Sequence, residues 1–388
     1  MHPRIPHLPH AAVALALAIP LLASADPLYT ITSVAGAGSQ AFDLNNLGQV
    51  VGTMDAGGGA YHAFVSNGSA PTDLGTLGGS VSAAVSINDH GQIVGDSYVS
   101  GDTSYRGFIV DGGSLSALPG PDFLRASAIN NAGTVAGEMS VAVPDGSQIH
   151  AFTYSGGSYT DLGTLPIGDG SRALGINNAG DVVGAANNSI HDLPNVPEDP
   201  FLYHNGRMID LGVLDANGIW TGANAINDHG QIVGYAGVAY TDANGGDIYP
   251  QTAFLYENGV MKSLGGLAPH GSSTALDINN LGLIVGSAYL SDLSSHGFLY
   301  RNGKMIDLNT LIDPATGWII EDAVAINDLG QIAATACRNG VCQAVRLDEI
   351  SPVPEPSACA LLLAGLAGLA LNGRRALRFR SPALRRRG

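Results

Sequence analysis

The side chains that could do chemistry in this chain are spread along it at regular intervals. An Asp recurs in phrases such as Asp-Leu-Gly, and a His precedes Ala-Phe or Gly-Phe. The Asp residues of this phrase include Asp73, Asp161 and Asp210, and the His residues are His62, His150 and His296. A metal centre needs ligands that converge, whereas these positions fall one to a repeat. The pattern therefore favours structural roles and predicts no metal site.

The chain carries no sequence signature of a known catalytic site. A nucleophile elbow, a metal-binding His-x-x-x-His pair and a phosphate-binding glycine loop are all absent from the sequence. The stretch Asp242–Asp247 clusters oxygen-bearing side chains, which hard cations such as Ca²⁺ favour, but the Glu that completes an EF-hand loop does not follow. An acidic surface loop is the simpler interpretation. We therefore predict no catalytic residues and no cofactor.

Two of the three cysteines, Cys337 and Cys342, flank the tetrapeptide Arg-Asn-Gly-Val. Asn-Gly is a strong signal for a tight hairpin turn, and a hairpin would bring the two sulfur atoms close together. In an oxidising compartment this spacing predicts a disulfide, with two unpaired thiols as the alternative. Cys359 lies in an apolar run and is expected to act as a small hydrophobic residue.

The segments that position these side chains recur seven times along the sequence. A phrase of the form Asn-x-x-Gly, clearest in Ser86–Gly95, recurs with steps of 42 to 52 residues. Its Asn residues are Asn45, Asn88, Asn130, Asn177, Asn227, Asn279 and Asn327. A sustained period in this range indicates a repeat array. Because Asn bonds its own backbone two residues on and Gly adopts positive φ, each phrase predicts a tight turn between two strands.

Each repeat contains four short apolar segments, which is the pattern of a β-propeller blade. Small residues such as Ala84 and Ala126 dominate the first segment and suit an innermost strand. The last repeat lacks a fourth segment, and Leu28–Val34 ahead of the first repeat can supply it. We therefore predict an all-β fold over residues 26–350. It is a seven-bladed β-propeller of four-stranded blades, closed by the N-terminal strand completing the last blade.

The N-terminal residues 1–25 have the organisation of an export signal. Arg4 precedes the apolar run Ala11–Leu22, and Ala-Ser-Ala ends at residue 25. Twelve apolar residues are too few to span a bilayer comfortably, since a spanning helix needs about 20. We predict a cleaved signal peptide.

The C-terminal residues 351–388 form a tail of three parts. A Pro-rich linker precedes the apolar run Ala358–Leu371, which predicts a short transmembrane helix, and seven Arg follow as a cytoplasmic anchor. With Pro354, Glu355 and Pro356, this tail resembles the PEP-CTERM sorting signal of Gram-negative bacteria. The resemblance implies processing by an exosortase-type peptidase, a transient stay in the inner membrane, and delivery to the cell envelope or extracellular matrix. An ordinary C-terminal anchor is the alternative.

The repeats also resemble the extracellular HAF-repeat family. His62-Ala-Phe64 and His150-Ala-Phe152 match its naming tripeptide, and His296-Gly-Phe298 is close to it. The resemblance covers about residues 33–347, while repeats such as the one containing Pro200-Phe201 depart from the tripeptide. The family carries no established catalytic residues, so the resemblance implies none here.

The charge and the connecting loops bear on partners. The net charge is −16, and seven of the 17 basic residues lie after Leu371, so the repeats are strongly acidic and nucleic acid is excluded as a partner.

The longest connections between second and third segments fall in repeats four and five. Aromatic rings beside carboxylates suit sugar or peptide recognition. The predicted binding face comprises Trp220, Tyr235, Tyr240, Asp242, Asp247, Tyr249 and Trp318.

These features predict a non-enzymatic binding or structural module outside the cytoplasm. Exopolysaccharide is the expected ligand class by analogy with exosortase systems, and an envelope protein is the other candidate. A secreted glycan-active hydrolase or lyase with its site at the propeller channel is the alternative, which a pair of facing channel carboxylates would favour. A passive matrix component is the third interpretation.

Overall fold

The computed structural model describes residues 29–187, 198–215, 220–241, 247–248 and 250–350. Within these ranges nearly all regular structure is antiparallel β-sheet, and the strands group into sheets of four, of which the first two are joined by a parallel bridge between Tyr61 and Val81. We call each sheet a blade and name its strands A to D from the inside of the ring outward. The predicted signal peptide and the predicted C-terminal helix lie outside the described residues.

The first three blades follow an N-terminal strand, β1 (Tyr29–Ser33). Blade 1 consists of β2 (Gln40–Leu44), β3 (Val50–Gly57), β4 (Ala60–Ser66) and β5 (Thr72–Gly75). Blade 2 consists of β6 (Gly78–Ile87), β7 (Ile93–Val99), β8 (Tyr105–Asp111) and β9 (Ser114–Ala117). Blade 3 consists of β10 (Leu124–Ile129), β11 (Val135–Val143), β12 (Gly146–Ser155) and β13 (Ser158–Gly163).

Blades 4 and 5 continue the order. Blade 4 consists of β14 (Ser171–Ile176), β15 (Val182–Asn187), β16 (Glu198–His204) and β17 (Arg207–Asp210). Blade 5 begins with β18 (Gly222–Ile226) and β19 (Ile232–Gly237). A small hairpin of β20 (Tyr240–Thr241) and β21 (Asp247–Ile248) is inserted before β22 (Gln251–Glu257) and β23 (Val260–Gly265).

The last two blades complete the chain. Blade 6 consists of β24 (Ser273–Ile278), β25 (Ile284–Tyr289), β26 (Ser295–Arg301) and β27 (Lys304–Asp307). Two 3₁₀ helices, Leu308–Thr310 and Pro314–Thr316, lead to blade 7. Its strands are β28 (Ile319–Ile326), β29 (Ile332–Arg338) and β30 (Val341–Glu349). The described residues include no helix long and apolar enough to cross a membrane.

Strand β1 supplies the fourth strand of blade 7. It pairs antiparallel with β30, in the order β1-β30-β29-β28, and Tyr29 lies opposite Glu349. This pairing removes the free sheet edge that an open array would expose. The prediction of an all-β fold of four-stranded sheets, with the N-terminal strand joined to the last sheet, is confirmed.

A Gly on strand B and a Phe on strand C form the centre of six blades. In blade 2, Gly95 lies opposite Phe108, and a Cβ atom on Gly95 would lie 1.9 Å from the carbonyl oxygen of Ala83 on strand A. The missing side chain lets the strands approach closely while the Phe ring is fully buried. The six residues are Phe64, Phe108, Phe152, Phe201, Phe254 and Phe298. In blade 7, Ala334 and Val345 take these two positions.

The hydrophobic core lies between neighbouring blades as well as within them. Ala325, Ala333 and Ala344 of blade 7 pack in one cluster with Val50 and Phe64 of blade 1. Apolar packing therefore continues from the last blade to the first. Together with the pairing of β1, this packing holds the ring closed.

Every A strand contains a bulge just before its Asn. In blade 1 the register shifts between Ala41 and Asp43, and the other six A strands shift at the equivalent place. The bulge re-aims a side chain, so the intervening residue lines the central channel. These channel residues are Phe42, Val85, Ser127, Leu174, Asn224, Leu276 and Val324.

Candidate functional site

The seven repeated Asn side chains form a closed ring of hydrogen bonds. Asn88 shows the arrangement: its Oδ1 atom accepts the N–H groups of His90 and Gln92, as a turn residue should. Its Nδ2 atom donates to the carbonyl oxygen of Asn130 in the next blade. The same donation, at 2.9 to 3.3 Å, runs from Asn45 through Asn88, Asn130, Asn177, Asn227, Asn279 and Asn327 back to Asn45. These Asn residues therefore join the blades as well as shaping the turns.

The residue after each Asn forms a second ring. Its backbone N–H donates to the side-chain oxygen of the equivalent residue in the next blade, at 2.8 to 2.9 Å. The members in order are Asn46, Asp89, Asn131, Asn178, Asp228, Asn280 and Asp328. Each Asp in this ring has Asn on both sides, and Asp89 accepts the side-chain amides of Asn46 and Asn131. The alternation keeps carboxylates apart and supplies each of them with donors.

The two rings occupy one end of the central channel. They line a polar cavity of about 170 Å³, and a second cavity of about 230 Å³ continues along the A strands. The side chains at the ringed end are already hydrogen-bonded to one another, whereas the bulge residues Phe42, Leu174 and Leu276 give the middle of the channel apolar walls. We call the end of the channel opposite to the rings its open end.

Two carboxylates lie in the middle of the channel. Asp43 accepts the N–H of Leu44 and, across the blade boundary, that of Ile87 at 2.9 Å. Asp277 likewise accepts Ile278 N–H and the neighbouring blade's Ile326 N–H at 2.7 Å. Each carboxylate therefore links the A strands of two adjacent blades.

Both channel carboxyls have pKa values above the ordinary value for Asp. Burial raises the pKa of Asp43 to about 7, and the negative charge of Asp277 adds to the effect. Burial also raises the pKa of Asp277 to about 6, against the stabilising N–H groups of Ile326 and Ile278. Sequence reasoning did not single out either residue, because their positions carry Ser, Ala or Gly in the other repeats.

A cleft of about 700 Å³ lies where blades 1, 2 and 3 meet at the open end of the channel. Phe42 and Val85 line both this cleft and the channel. Tyr105 and Phe123 extend into solvent with 42% and 41% of their surfaces exposed. Stacking of the Tyr105 ring on Tyr98, at a centroid distance of 3.7 Å, fixes its orientation. The cleft thus offers aromatic faces that are held in place.

Charged groups border the cleft beside these rings. The Arg125 Nε donates to Asp96 Oδ2 at 3.0 Å, and Glu138 lies 3.9 Å from the same guanidinium. Burial raises the pKa of Asp96, while Arg125 opposes that shift. In the next blade Arg172 forms a two-point ion pair with Glu198. Opposite charges therefore alternate across blades 2, 3 and 4 at this end of the channel.

A smaller groove of about 480 Å³ lies in blade 5, within the predicted binding face. Tyr240 stacks on His270 with ring centroids 4.1 Å apart, and both rings line the groove. Val238, Pro250 and Ala268 give it an apolar wall. Tyr240, one of the predicted aromatic residues, therefore lies in a groove.

The remaining residues of the predicted binding face do not form one site in the described structure. Tyr235 was predicted to lie on the long connection, but it lies within β19 and covers Gly222 of the same blade. Trp220 is half exposed on the path to β18. Trp318 is partly buried in blade 7, with Arg338 4.4 Å above its ring. Asp242, Tyr249 and the Asp247 side chain lie outside what the structure describes.

The repeated His and Asp side chains pair with each other. The Nδ1 atoms of His62 and His150 each lie 2.9 Å from the nearer carboxylate oxygen of Asp73 and Asp161, and His296 lies 2.7 Å from Asp307. Each pair joins strands C and D of one blade. The partners are 11 residues apart in all three pairs, and this constant spacing is the sequence signal that could have identified them. Asp210 of blade 4 caps Gly212 instead.

The cysteines meet at the end of β29 and β30. Cys337 lies directly opposite Cys342, with Cα atoms 3.9 Å apart, and the structure joins their sulfurs in a disulfide. Glu321 is close to both. Because a disulfide leaves no thiolate to bind a metal, this grouping offers no cation site in its oxidised form.

A model of the PEP-CTERM protein-sorting motif matches residues 352–376. The predicted sorting signal is therefore confirmed, and Pro354, Glu355 and Pro356 fall within the match. The motif implies processing by an exosortase and export to the cell surface. No curated protein sequence matches the chain.

Comparison with solved structures finds distant similarities. The β-propeller domain of the Trilobed protease from Pyrococcus furiosus is 8% identical with a TM-score of 0.49, covering 85% of this chain and 100% of the domain. TolB from Acinetobacter baumannii is 9% identical with a TM-score of 0.41, and 78% of this chain matches 64% of TolB. An acylaminoacyl peptidase from Pyrococcus horikoshii is 14% identical with a TM-score of 0.39, and 67% of this chain matches 44% of it. The chain thus spans less than two thirds of the last two proteins. The fold assignment rests on the blades and rings described above.

Proposed function

We propose that this chain is an exported, exosortase-sorted, seven-bladed β-propeller that acts as a binding module. Its ligand site is the cleft at the open end of the channel. The observation that carries the proposal is the pair of half-exposed rings, Tyr105 and Phe123, beside the hydrogen-bonding groups of Arg125 and Asp96. The resemblance of the repeats to the extracellular HAF family agrees with a role outside the cell.

The chemistry of the cleft favours a polysaccharide as ligand. A sugar ring presents C–H groups on its faces and hydroxyls at its edge, so it can stack on an oriented aromatic ring and bond to charged groups around it. Tyr105 is held by Tyr98 and therefore loses little freedom on binding. A negatively charged body disfavours nucleic acid. We propose the bound chain to be exopolysaccharide of the bacterial envelope or matrix.

Binding to the segment 26–350 tests the proposal. Exopolysaccharide from a producing strain is titrated into the wild-type protein and into Tyr105→Ala by calorimetry. Loss of one stacking contact is expected to weaken binding by about tenfold. Tyr61→Ala is the matched control, because Tyr61 and Tyr105 each lie three residues before the buried Phe of strand C in their blades, and both are 42% exposed.

Three results separate the alternatives. Weaker binding by Tyr105→Ala alone supports the cleft. Weaker binding by Tyr240→Ala, with Tyr105→Ala unchanged, moves the site to the blade 5 groove. A wild-type chain without saturable binding would overturn the polysaccharide assignment and favour a protein partner or a passive matrix role.

A glycan-active enzyme is the second candidate, and one observation favours it. Asp43 and Asp277 both lie in the channel with raised pKa values, as a general acid requires. Against this role, both carboxylates already accept backbone N–H groups from two blades. New reducing ends released from the polysaccharide, and lost in Asp43→Asn and Asp277→Asn, would establish the enzyme over the binding module.

A further inference from the structure

The strand order gives the ring two different faces. Within every blade the A-to-B turn and the C-to-D turn lie at one end of the sheet, because the strands are antiparallel. We call this end the turn face. The B-to-C loops and the connections between blades form the other end, the loop face, which holds the 700 Å³ cleft.

Both ends of the described chain emerge on the turn face. Tyr29, the first residue of β1, lies opposite Glu349, the last residue of β30. Leu347 lies opposite Ile332, which directly follows the A-to-B turn of blade 7. The segments that enter the membrane during export, residues 1–25 and the tail after Ile350, are therefore attached to one face at one blade.

The exit point of the C-terminal tail contacts three adjacent blades. Asp348 accepts Gln331 Nε2 of blade 7 at 2.6 Å. Arg346 donates to the Gly48 carbonyl of blade 1 at 2.7 Å. Glu349 lies 3.9 Å from Arg301 of blade 6. The tail thus leaves the protein beside the A-to-B turns of blades 7 and 1 and close to blade 6.

These three blades carry the most apolar turns of the ring. The outermost residue of each A-to-B turn is the second after its Asn, and in chain order these tips are Leu47, His90, Ala132, Ala179, His229, Leu281 and Leu329. The tips include no acid, although the chain is strongly acidic. Leu47, Leu281 and Leu329 are 68%, 69% and 64% exposed and belong to blades 1, 6 and 7. They form an apolar arc around the exit of the tail.

The position of the tail indicates what covers this arc. Only seven residues, 351–357, separate Ile350 from the apolar run 358–371. Seven extended residues reach about 25 Å at most, so the turn face stays close to the bilayer that holds the run. Exposed apolar side chains suit a lipid surface, and the acids beside the arc, Asp348 and Glu349, are paired with Arg346 and Arg301.

We propose that, before the tail is processed, the turn face rests against the membrane. Leu47, Leu281 and Leu329 contact lipid, and the loop face with its cleft points away from the membrane. The orientation depends on the confirmed sorting motif and the paired chain ends. It does not depend on what the cleft binds.

Depth-dependent quenching tests this orientation in the full-length chain. The protein is inserted into phosphatidylcholine vesicles with a Cys359→Ser background, so that an environment-sensitive dye reacts at one introduced cysteine. The dye is placed by Leu329→Cys or by Leu293→Cys. Leu293 is the matched control because it is an exposed leucine in the B-to-C loop of blade 6, on the loop face.

We expect nitroxide lipids to quench the dye at position 329 and to leave the dye at position 293 unchanged. Equal quenching at both positions, or quenching at 293 alone, would overturn the proposal. Leu47→Cys provides a second probe of the arc and should behave as position 329 does. A dye at 329 that shifts to the blue with protein concentration in the absence of vesicles would assign the arc to a second copy of the chain instead.

Discussion

The turn face and the loop face are built from the same seven repeats but obey different constraints. On the turn face every blade has the same A-to-B turn, and the rings of Asn45 and Asn46 pass through all of them. On the loop face the B-to-C connection ranges from the tight turn at Asn339-Gly340 to the span between Gly237 and Gln251 with its own hairpin. One face holds the ring together, and the other is free to form a cleft.

The difference follows from where the hydrogen bonds go. An amide on the turn face bonds to the next blade, so a change in one repeat disturbs its neighbour. A side chain in a loop-face connection mostly bonds within that connection, so loops of different length cost the ring little. Variation between repeats is therefore concentrated on the face that can meet a ligand.

The largest effect should come from breaking the inner ring. Asn327→Ala removes the buried hydrogen bond to the Asn45 carbonyl and the acceptor for the partly buried N–H groups of Leu329 and Gln331. We expect the free energy of unfolding to fall by about 3 kcal/mol, at about 1 kcal/mol for each net hydrogen bond. Urea unfolding followed by circular dichroism measures the loss.

A loop-face Asn makes the matched control for that change. Asn309, in the connection between blades 6 and 7, bonds to the Ile320 N–H and carbonyl and to Asp307, the strand residues at its two ends. Because Asn309 is partly exposed, Asn309→Ala should cost clearly less than Asn327→Ala. Equal losses in the free energy of unfolding would mean that side chains of the turn face do not stabilise the ring more than those of the loop face.

Removing the disulfide tests the loop face of blade 7. For the short loop closed by Cys337 and Cys342, the chain-entropy relation gives about 2 kcal/mol. The double variant Cys337→Ser/Cys342→Ser and the reduced wild-type chain should lose the same amount in urea melts, while Cys359→Ser should lose none. Two free thiols in the intact mass of the secreted protein would contradict the pairing.

The channel between the faces should make stability depend on pH. Asp43 has a pKa of about 7 when folded and an ordinary, lower value when unfolded, so the folded state holds the proton more tightly. The contribution of Asp43 to the free energy of unfolding is greatest below its unfolded pKa and is lost as pH rises through about 7. The slope is at most about 1.4 kcal/mol per pH unit for one group.

Urea melts at pH 5, 6.5 and 8 measure this dependence. In Asp43→Asn the free energy of unfolding should fall less steeply as pH rises, and in Asp277→Asn it should fall less steeply around pH 6. Asp292→Asn is the control, since hydrogen bonds from Ser294 lower the pKa of that exposed carboxyl and it stays ionised throughout. An unchanged slope in both channel variants would show that these carboxyls titrate normally.

The smallest effect is expected from the His and Asp pairs of the loop face. His150→Ala should change the free energy of unfolding by less than about 1 kcal/mol, because a partly exposed pair contributes little. Thr252 and Ser263 occupy the equivalent positions of blade 5 without any charge. His229→Ala, at a turn tip, is the comparison. A loss of several kcal/mol in His150→Ala alone would give the loop face a structural role that we have not assigned to it.

The sequence predicted the blade architecture well because local patterns determine it. Turn chemistry, the position of Phe and the missing fourth segment of the last repeat each point to one arrangement. The ring role of Asn88 could not be predicted in the same way. Its Oδ1 bonds follow from its own turn, but the partner of its Nδ2 lies 42 residues away on the next blade.

The candidate site was harder to predict for a related reason. Loop length directed attention to repeats four and five, where Tyr240 does line a groove. The larger cleft combines Phe42, Tyr105 and Phe123 from three blades with connections of ordinary length. Their proximity is a property of the closed ring, so it becomes visible only when the blades are in place.

Because Tyr29 pairs with Glu349, the same ring of blades could form from a chain that begins at another loop. Since the two ends lie side by side, a short peptide could join them, and the chain could be cut instead in a loop such as the one after Tyr289. Blade 6 would then be completed by strands from both ends, as blade 7 is now. In a circular permutant of this kind every hydrogen bond of the two rings would keep its partner, so the order in which the blades are synthesised is separable from the structure that they form.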